Sequence, residues 1–233
     1  MKRFWDTATA APAGDAWHVL LDGKPMRLPG GAPLLLATPA LANAIAAEWQ
    51  RAGGARGGEM SFADTPLTRI AGTAQERVAP QAQAVALEIA RYAESDLLCY
   101  RADEPDALVQ RQAEQWQPWL DWAETRYGAR LLVTTGVMHR PQPAESLARL
   151  AAAVAALPIP ALAALGIVVP ATGSLVLGLA LAEGALDAAT ATRAAQLDEL
   201  FQSEIWGVEW ESAERRARVA AEIALMARYL ALA

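Results

Sequence analysis

The chain has 233 residues, a formal charge of −6, 20% charged residues and 54% hydrophobic ones. This length holds one large or two small domains, and the balance is that of a globular protein rather than a disordered one. An acidic chain with no basic stripe between aromatics argues against nucleic acid and against anionic membrane surfaces, while a lone cysteine, Cys99, excludes an intrachain disulfide and suits a reducing compartment.

The first six residues mix Lys2, Arg3, Phe4, Trp5 and Asp6 without a long apolar run, so neither a signal peptide nor a transit peptide is expected. A bacterial cytoplasm is the expected location, or the mitochondrial matrix for a processed eukaryotic form. Residues 17–21 (WHVLL) read as a strand, Asp22 and Gly23 as a hairpin turn and residues 24–28 as the returning strand. Residues 34–36 are a third strand candidate after the turn at Pro29, Gly30 and Gly31. Thr38 caps a helix with Pro39 at its first position and Leu41, Ile45 and Trp49 along one face. Glycines 53, 54, 57 and 58 end it.

Beyond about Asp64 the pattern turns helical. Thr65 and Pro66 open a helix through Leu67, Ile70 and Ala74, and a second runs from Pro80 through Val85, Ile89 and Tyr92. A third starts near Asp106 and continues to Tyr127, with Pro118 expected to kink it. Trp116, Trp119 and Trp122 are expected in its core, and Cys99 as a small buried apolar residue. Residues 131–134 are extended, and further helices are expected over 144–157, 160–168, 172–183, 187–206 and 212–232. The expected fold class is α+β: a small β-rich domain with one helix over residues 1–60, then a larger all-α domain over 61–233.

Residues 161–182 are almost wholly apolar and long enough to span a bilayer. Gly166, Pro170, Thr172, Gly173 and Ser174 interrupt them, and no Lys/Arg cluster flanks them. Pro170 is expected to split the run, and Thr172 or Ser174 to cap a helix from Leu175, so buried core helices are the reading rather than membrane insertion.

Several chemistries lack their residues. There is no phosphate loop of the G-x-x-x-x-G-K-[ST] type, no strand–G-x-G-x-x-G–helix and no G-x-S-x-G elbow. Two histidines and one cysteine, far apart in sequence, do not suggest a zinc site. No metal or cofactor is therefore expected. Gly173 and Ser174 read as a helix cap rather than a nucleophile.

Two constellations remain. Residues 202–211 (QSEIWGVEWE) combine acids and large aromatics. On a helix, Leu197, Leu200, Phe201, Ile205 and Val208 share an apolar arc with Glu204 near its middle, and Trp206 and Trp210 project from the other side. A carboxylate in an apolar stripe is costly unless paired or used. Three readings follow. Glu204 pairs with an internal arginine such as Arg69 or Arg91 while the tryptophans are core; or the segment is a partner-binding surface, where tryptophan is enriched; or Glu204 and a second acid, Glu209, Glu211 or one from another helix, work as a carboxylate-dependent hydrolase in a Trp-lined cleft, the two acids about 5–10 Å apart. The second constellation is residues 88–101, where Tyr92 and Asp96, one helical turn apart, read as polar side chains tying two helices together.

The order of these motifs resembles a known family. Val19-Leu20-Leu21-Asp22-Gly23-Lys24-Pro25, the run opening at Thr65-Pro66-Leu67-Thr68-Arg69-Ile70, the Arg91 to Arg101 stretch, Thr172-Gly173-Ser174-Leu175-Val176 and the Gln202 to Glu211 segment follow one another along nearly the whole chain. Together they are similar to the assembly chaperones of the F-type ATP synthase that act on the alpha subunit of its catalytic head. Val208, Trp210 and Gly72 depart from the family pattern. The resemblance implies a β-rich then helical protein without enzymatic activity, a monomer that binds the unassembled alpha subunit and covers its interface until the beta subunit joins. It assigns partner binding to Glu204 first, with Trp206, Gly207, Glu209, Trp210 and Glu211 beside it, and supporting roles to Arg69, Tyr92, Asp96, Thr172, Gly173 and Ser174.

Overall fold

The computed structural model describes residues 1–136 and 138–233. A small antiparallel sheet opens the chain and helices dominate the rest, an α+β architecture. The chain divides into two compact units. One comprises Met1–Gln81, Ile159–Ala164 and Arg228–Ala233, the other Ala82–Pro158 and Leu165–Ala227.

In the first unit, β1 (Ala8–Ala13) and β2 (Ala16–Leu21) form a hairpin, and β3 (Lys24–Pro25) pairs with the far side of β2. The turn between β2 and β3 is at Asp22 and Gly23, as the sequence reading has it, and Asp22 also accepts hydrogen bonds from the Asp6 and Thr7 amides. The third strand candidate forms only an isolated bridge, Trp17 to Leu36. Its neighbour Leu35 gives its N–H to the Gln75 side chain at 2.9 Å instead of to a strand, and Pro33 has no N–H to give. The strand β1 was not expected: its sequence, ATAAPA, has little β propensity, and pairing to β2 and packing against α1 supply its order.

Helix α1 (Pro39–Arg51) begins as expected, with the Thr38 hydroxyl accepting from the Leu41 N–H. Helix α2 (Pro66–Thr73) follows and passes into a π-helical turn, Ala74–Val78. Its cap comes from another element. Thr65 makes no side-chain cap bond; Glu48 of α1, 3% exposed, accepts from the Leu67 N–H at 2.9 Å and the Thr68 N–H at 3.2 Å. The C-terminal end of α1 is held by Arg3, whose buried guanidinium donates to the carbonyls of Gln50, Ala52 and Gly54.

The second unit contains α3 (Ala82–Ala90), β4 (Tyr100–Arg101), α4 (Asp106–Tyr127), β5 (Thr134–Thr135), α5 (Ala144–Ala155), the later part of α6 (Ile159–Thr172), α7 (Leu175–Ala182), α8 (Ala188–Ala195), α9 (Leu197–Trp206) and most of α10 (Trp210–Leu232). Strands β4 and β5 form a two-residue parallel pair. Helix α4 continues across Pro118 to a left-handed Gly128. Trp116 is buried with its indole N–H on the Ala194 carbonyl at 2.8 Å, whereas Trp119 and Trp122 are only half-buried. Cys99 is fully buried.

The apolar run of residues 161–182 forms α6 and α7. Pro170 does not split it: α6 continues two residues further, and the break falls where left-handed Gly173 ends the helix and the Ser174 hydroxyl caps the next one through the Leu177 N–H. Pro170 forgoes its own bond to the Gly166 carbonyl, but only Ala171 and Thr172 follow it in the helix, so any bend there redirects little of α6. Among the described residues no helix is long and apolar enough to cross a membrane.

Candidate functional site

Residues 202–211 lie on the end of α9, the turn after it and the start of α10. The continuous helix expected over 187–206 is broken at Gln196, whose side-chain amide donates to the Arg216 carbonyl of α10 at 3.0 Å. Helix α9 then lies against α4 through adjacent residues of that helix. Gln112 donates to Asp198 at 2.8 Å, and Arg111 pairs with Glu204 at 2.7 Å while its guanidinium sits 5.1 Å above the Phe201 ring. On the α10 side, Arg215 pairs with Glu199 at 3.0 Å.

Glu204 is therefore ion-paired, but to Arg111 and not to Arg69 or Arg91, and its side chain is 57% exposed. The pair holds the Glu204 carboxyl below the usual glutamate value, the Arg111 hydrogen bond being the main cause. A group that stays ionised is suited to electrostatic contact and unsuited to giving up a proton near neutrality.

The expected apolar arc is buried only in part. Leu197 and Phe201 are in the core, but Ile205 and Val208 are 55% and 68% exposed. Trp206 and Trp210 are 77% and 69% exposed, which overturns the reading of these tryptophans as core. The physical reason is where the helix stops. Helix α9 ends at Trp206, one turn past Phe201, and Gly207 adopts φ 90°, ψ 166°, a region essentially confined to glycine. The chain then leaves as Val208 and Glu209 before α10 starts at Trp210, so nothing packs over these side chains. Among the described residues, neither Glu209 nor Glu211 has a basic side chain within ion-pairing distance. The outcome is an exposed strip of four large apolar side chains, Ile205, Trp206, Val208 and Trp210, bounded by the paired Glu204 at one end and by the carboxylates of Glu209 and Glu211 at the other. Isolated exposed apolar residues are ordinary; a contiguous run of this kind is uncommon on a protein surface and makes residues 204–211 the candidate site.

The supporting residues lie elsewhere. Asp96 is completely buried and accepts from the Leu98 and Val176 N–H groups, both at 3.1 Å, which makes it a second cap at the start of α7 beside Ser174. Burial raises its carboxyl to about 6, against the opposing pull of those amides. The Thr172 hydroxyl bonds the Val168 carbonyl at 2.9 Å, and the Gly173 carbonyl accepts from the Leu97 N–H at 2.9 Å. Asp96, Thr172, Gly173 and Ser174 thus form one buried joint, as the reading of two tied helices has it. Tyr92 does not join it. It is half-buried and lines a cleft of about 540 Å³ with Glu88, Arg91, Glu94, Ser95 and His139. Arg69 is exposed on α2. Arg111 escaped the sequence reading; the only available signal was its place beside Gln112 on the long helix α4. Among the described residues no group of three or more His, Cys, Asp and Glu side chains could hold a metal ion.

Comparison with known proteins agrees with this architecture. The family model described as ATP12 chaperone protein matches residues 2–124, more than half of the chain. The crystal structure of Atp12 from Paracoccus denitrificans is 44% identical, with a TM-score of 0.94 over 99% of this chain and 97% of that one. An aspartate-to-lysine mutant of the P. denitrificans protein gives 43% identity and the same TM-score and coverage. The Atu1473 protein of Agrobacterium tumefaciens is 40% identical, with a TM-score of 0.89 over 99% of this chain and 85% of that one. With the sequence match over its first half and the fold match over its whole length, the chain belongs to the ATP12 chaperone family.

Proposed function

We propose that this protein is an assembly chaperone of the F-type ATP synthase, holding the free alpha subunit of the catalytic head through residues 204–211 until the beta subunit joins. The observation that carries this reading is the exposed strip of Ile205, Trp206, Val208 and Trp210 between the acids Glu204, Glu209 and Glu211. An unassembled ring subunit exposes apolar interface that invites aggregation. A strip with large side chains and a charged rim can cover such a surface and still give way to a larger native interface. The protein acts as a monomer in the cytoplasm of a bacterium, or in the matrix of a mitochondrion.

The hydrolase reading fares worse on this geometry. It needs an acid that keeps its proton and a partner acid across a cleft; Glu204 is solvent-facing, and Arg111 lowers its pKa. Co-expression with the alpha and beta subunits tests the proposal. The alpha subunit should co-purify with this chain and the beta subunit should not. Absence of an alpha complex, under conditions where alpha remains soluble, overturns it.

A further inference from the structure

The first unit carries a surface that the proposed contact at residues 204–211 does not use. In the β1–β2 hairpin, Asp22 gives its N–H to the Thr7 carbonyl at 3.0 Å, so in this register the odd-numbered residues of β1 turn their main-chain groups toward β2. The even-numbered ones face away, and β1 is an edge of the sheet. The outward groups are the Asp6 carbonyl, the Ala8 N–H and carbonyl, the Ala10 N–H and carbonyl, and the Pro12 carbonyl. Pro12 occupies an outward position, where a missing N–H costs no ladder bond.

Gln50 of α1 already occupies the first place beside this edge. Its side-chain carbonyl accepts from the Ala8 N–H at 2.7 Å, and its amide donates to the Asp6 carbonyl at 3.1 Å. One carboxamide bonded to the two residues flanking Thr7 reproduces the donor–acceptor pattern of one residue, its N–H and its C=O, of a neighbouring parallel strand. Beyond it a groove of about 640 Å³ runs between Ala8, Thr9 and Ala10 on one side and α1 on the other, where Ala46 and Ala47 leave room. Arg51 stands in the same groove, exposed, and among the described residues no carboxylate pairs with it.

We infer that the outer edge of β1 and the facing wall of α1 form a docking slot for an extended, acid-bearing segment of a partner polypeptide, which adds to the sheet as a further strand and displaces the Gln50 carboxamide. Main-chain hydrogen bonds from Ala8 and Ala10 hold such a segment, and a carboxylate on it meets Arg51. Strand addition of this kind takes its affinity from the backbone and tolerates varied side chains. Pro12 limits the ladder and Gln50 shields its start, which together keep two copies of this chain from pairing edge to edge.

The test uses the full-length, isotope-labelled chain and a blocked heptapeptide of alternating threonine and valine with an aspartate at each end. On titration the Ala8 and Ala10 amide resonances should shift and their hydrogen exchange should slow. Gln50→Ala should tighten binding roughly tenfold, since the peptide no longer competes with the carboxamide for the Ala8 N–H and the Asp6 carbonyl. The same peptide N-methylated at alternate amides should not bind, a control that needs no change in the protein. Equal binding of the N-methylated peptide, or no β1 shift with either wild type or Gln50→Ala at millimolar peptide, overturns the inference. Because alpha-subunit capture through residues 204–211 is read separately by co-purification, failure of one proposal is distinguishable from failure of the other.

Discussion

The buried charges of Arg3, Glu48 and Asp96 are matched to main-chain groups rather than to counter-ions. Arg3 gives its guanidinium protons to carbonyls at the end of α1, Glu48 takes the free amides of α2, and Asp96 takes those of α7. Helix ends expose groups of fixed sign, so an ion placed there satisfies its own hydrogen-bonding need and theirs together. Asp96 carries a measurable signature. Its carboxyl is raised from 3.8 to about 6 by burial, so the native state holds a proton that the unfolded chain releases earlier. Below about pH 4 both states are protonated and no penalty exists. Between about pH 4 and 6 stability falls by roughly 3 kcal/mol, and the loss is complete above that range. Carboxylates whose pKa is lowered in the fold, Glu183 and Asp187 among them, act with the opposite sign at the acid end of this range and below it, so the comparison must be with a variant. Urea unfolding of wild type against Asp96→Asn should show wild type gaining stability on the variant as pH drops from 7 to 4. A constant difference across that range would show that Asp96 does not titrate there.

At the scale of elements, the sequence announced those that carry their own signals. The Asp22–Gly23 turn, the Thr38 cap with Pro39, the Ser174 cap and the long α4 all obey local rules and stand where expected. Structure that depends on distant residues was not legible. The strand β1 has one strand-like residue of its own, Thr9, and α2 has no side-chain cap of its own. Glu48 could have been suspected, since it lies on the same face as Leu41 and Ile45, but the amides it serves are nineteen and twenty residues away. Replacing it shows how borrowed the α2 cap is. Glu48→Ala should destabilise the protein by about 1–2 kcal/mol, the usual cost of a lost N-cap plus an unsatisfied amide. Hydrogen exchange should accelerate first at Leu67 and Thr68. The candidate site was half legible for a related reason: the helical arc through Glu204 holds as far as Ile205 and fails at Val208, which lies beyond the helix, because a projection cannot say where the helix or its covering elements stop. Once α9 ends at Gly207, the same arc that packs at Phe201 is bare at Ile205. The pair with Arg111, 93 residues away, also lay beyond local reading. Exposed ion pairs add little stability, so Glu204→Lys should change the thermal melt by only a few degrees while abolishing co-purification of the alpha subunit. Loss of the folded circular dichroism spectrum would instead make the Arg111–Glu204 clasp a structural requirement.

For the whole molecule, the question is whether fold and function draw on separate residues. The core is supplied by residues such as Trp5, Trp116, Leu165 and Leu177, all nearly inaccessible, whereas Trp206 and Trp210 stay largely in water. Replacing two exposed tryptophans removes little that the folded state buries; each change should move stability by no more than about 0.5 kcal/mol. Their worth, on the proposed function, appears only when a client covers them, and desolvated tryptophans at the centre of an interface commonly carry about 2 kcal/mol or more each. The double variant Trp206→Ser, Trp210→Ser should therefore unfold at the same urea concentration as wild type, yet bind the alpha subunit at least about a hundredfold more weakly and fail to keep it soluble in the absence of beta. Trp116→Ser should do the reverse in order of cause: it leaves a cavity and an unmet Ala194 carbonyl, lowers stability by about 3–5 kcal/mol, and loses client binding only as the fold is lost. Measuring unfolding and alpha-subunit solubility on both variants separates the two kinds of tryptophan. If the double variant protects the alpha subunit as well as wild type does, the strip at residues 204–211 is not the chaperone's working surface.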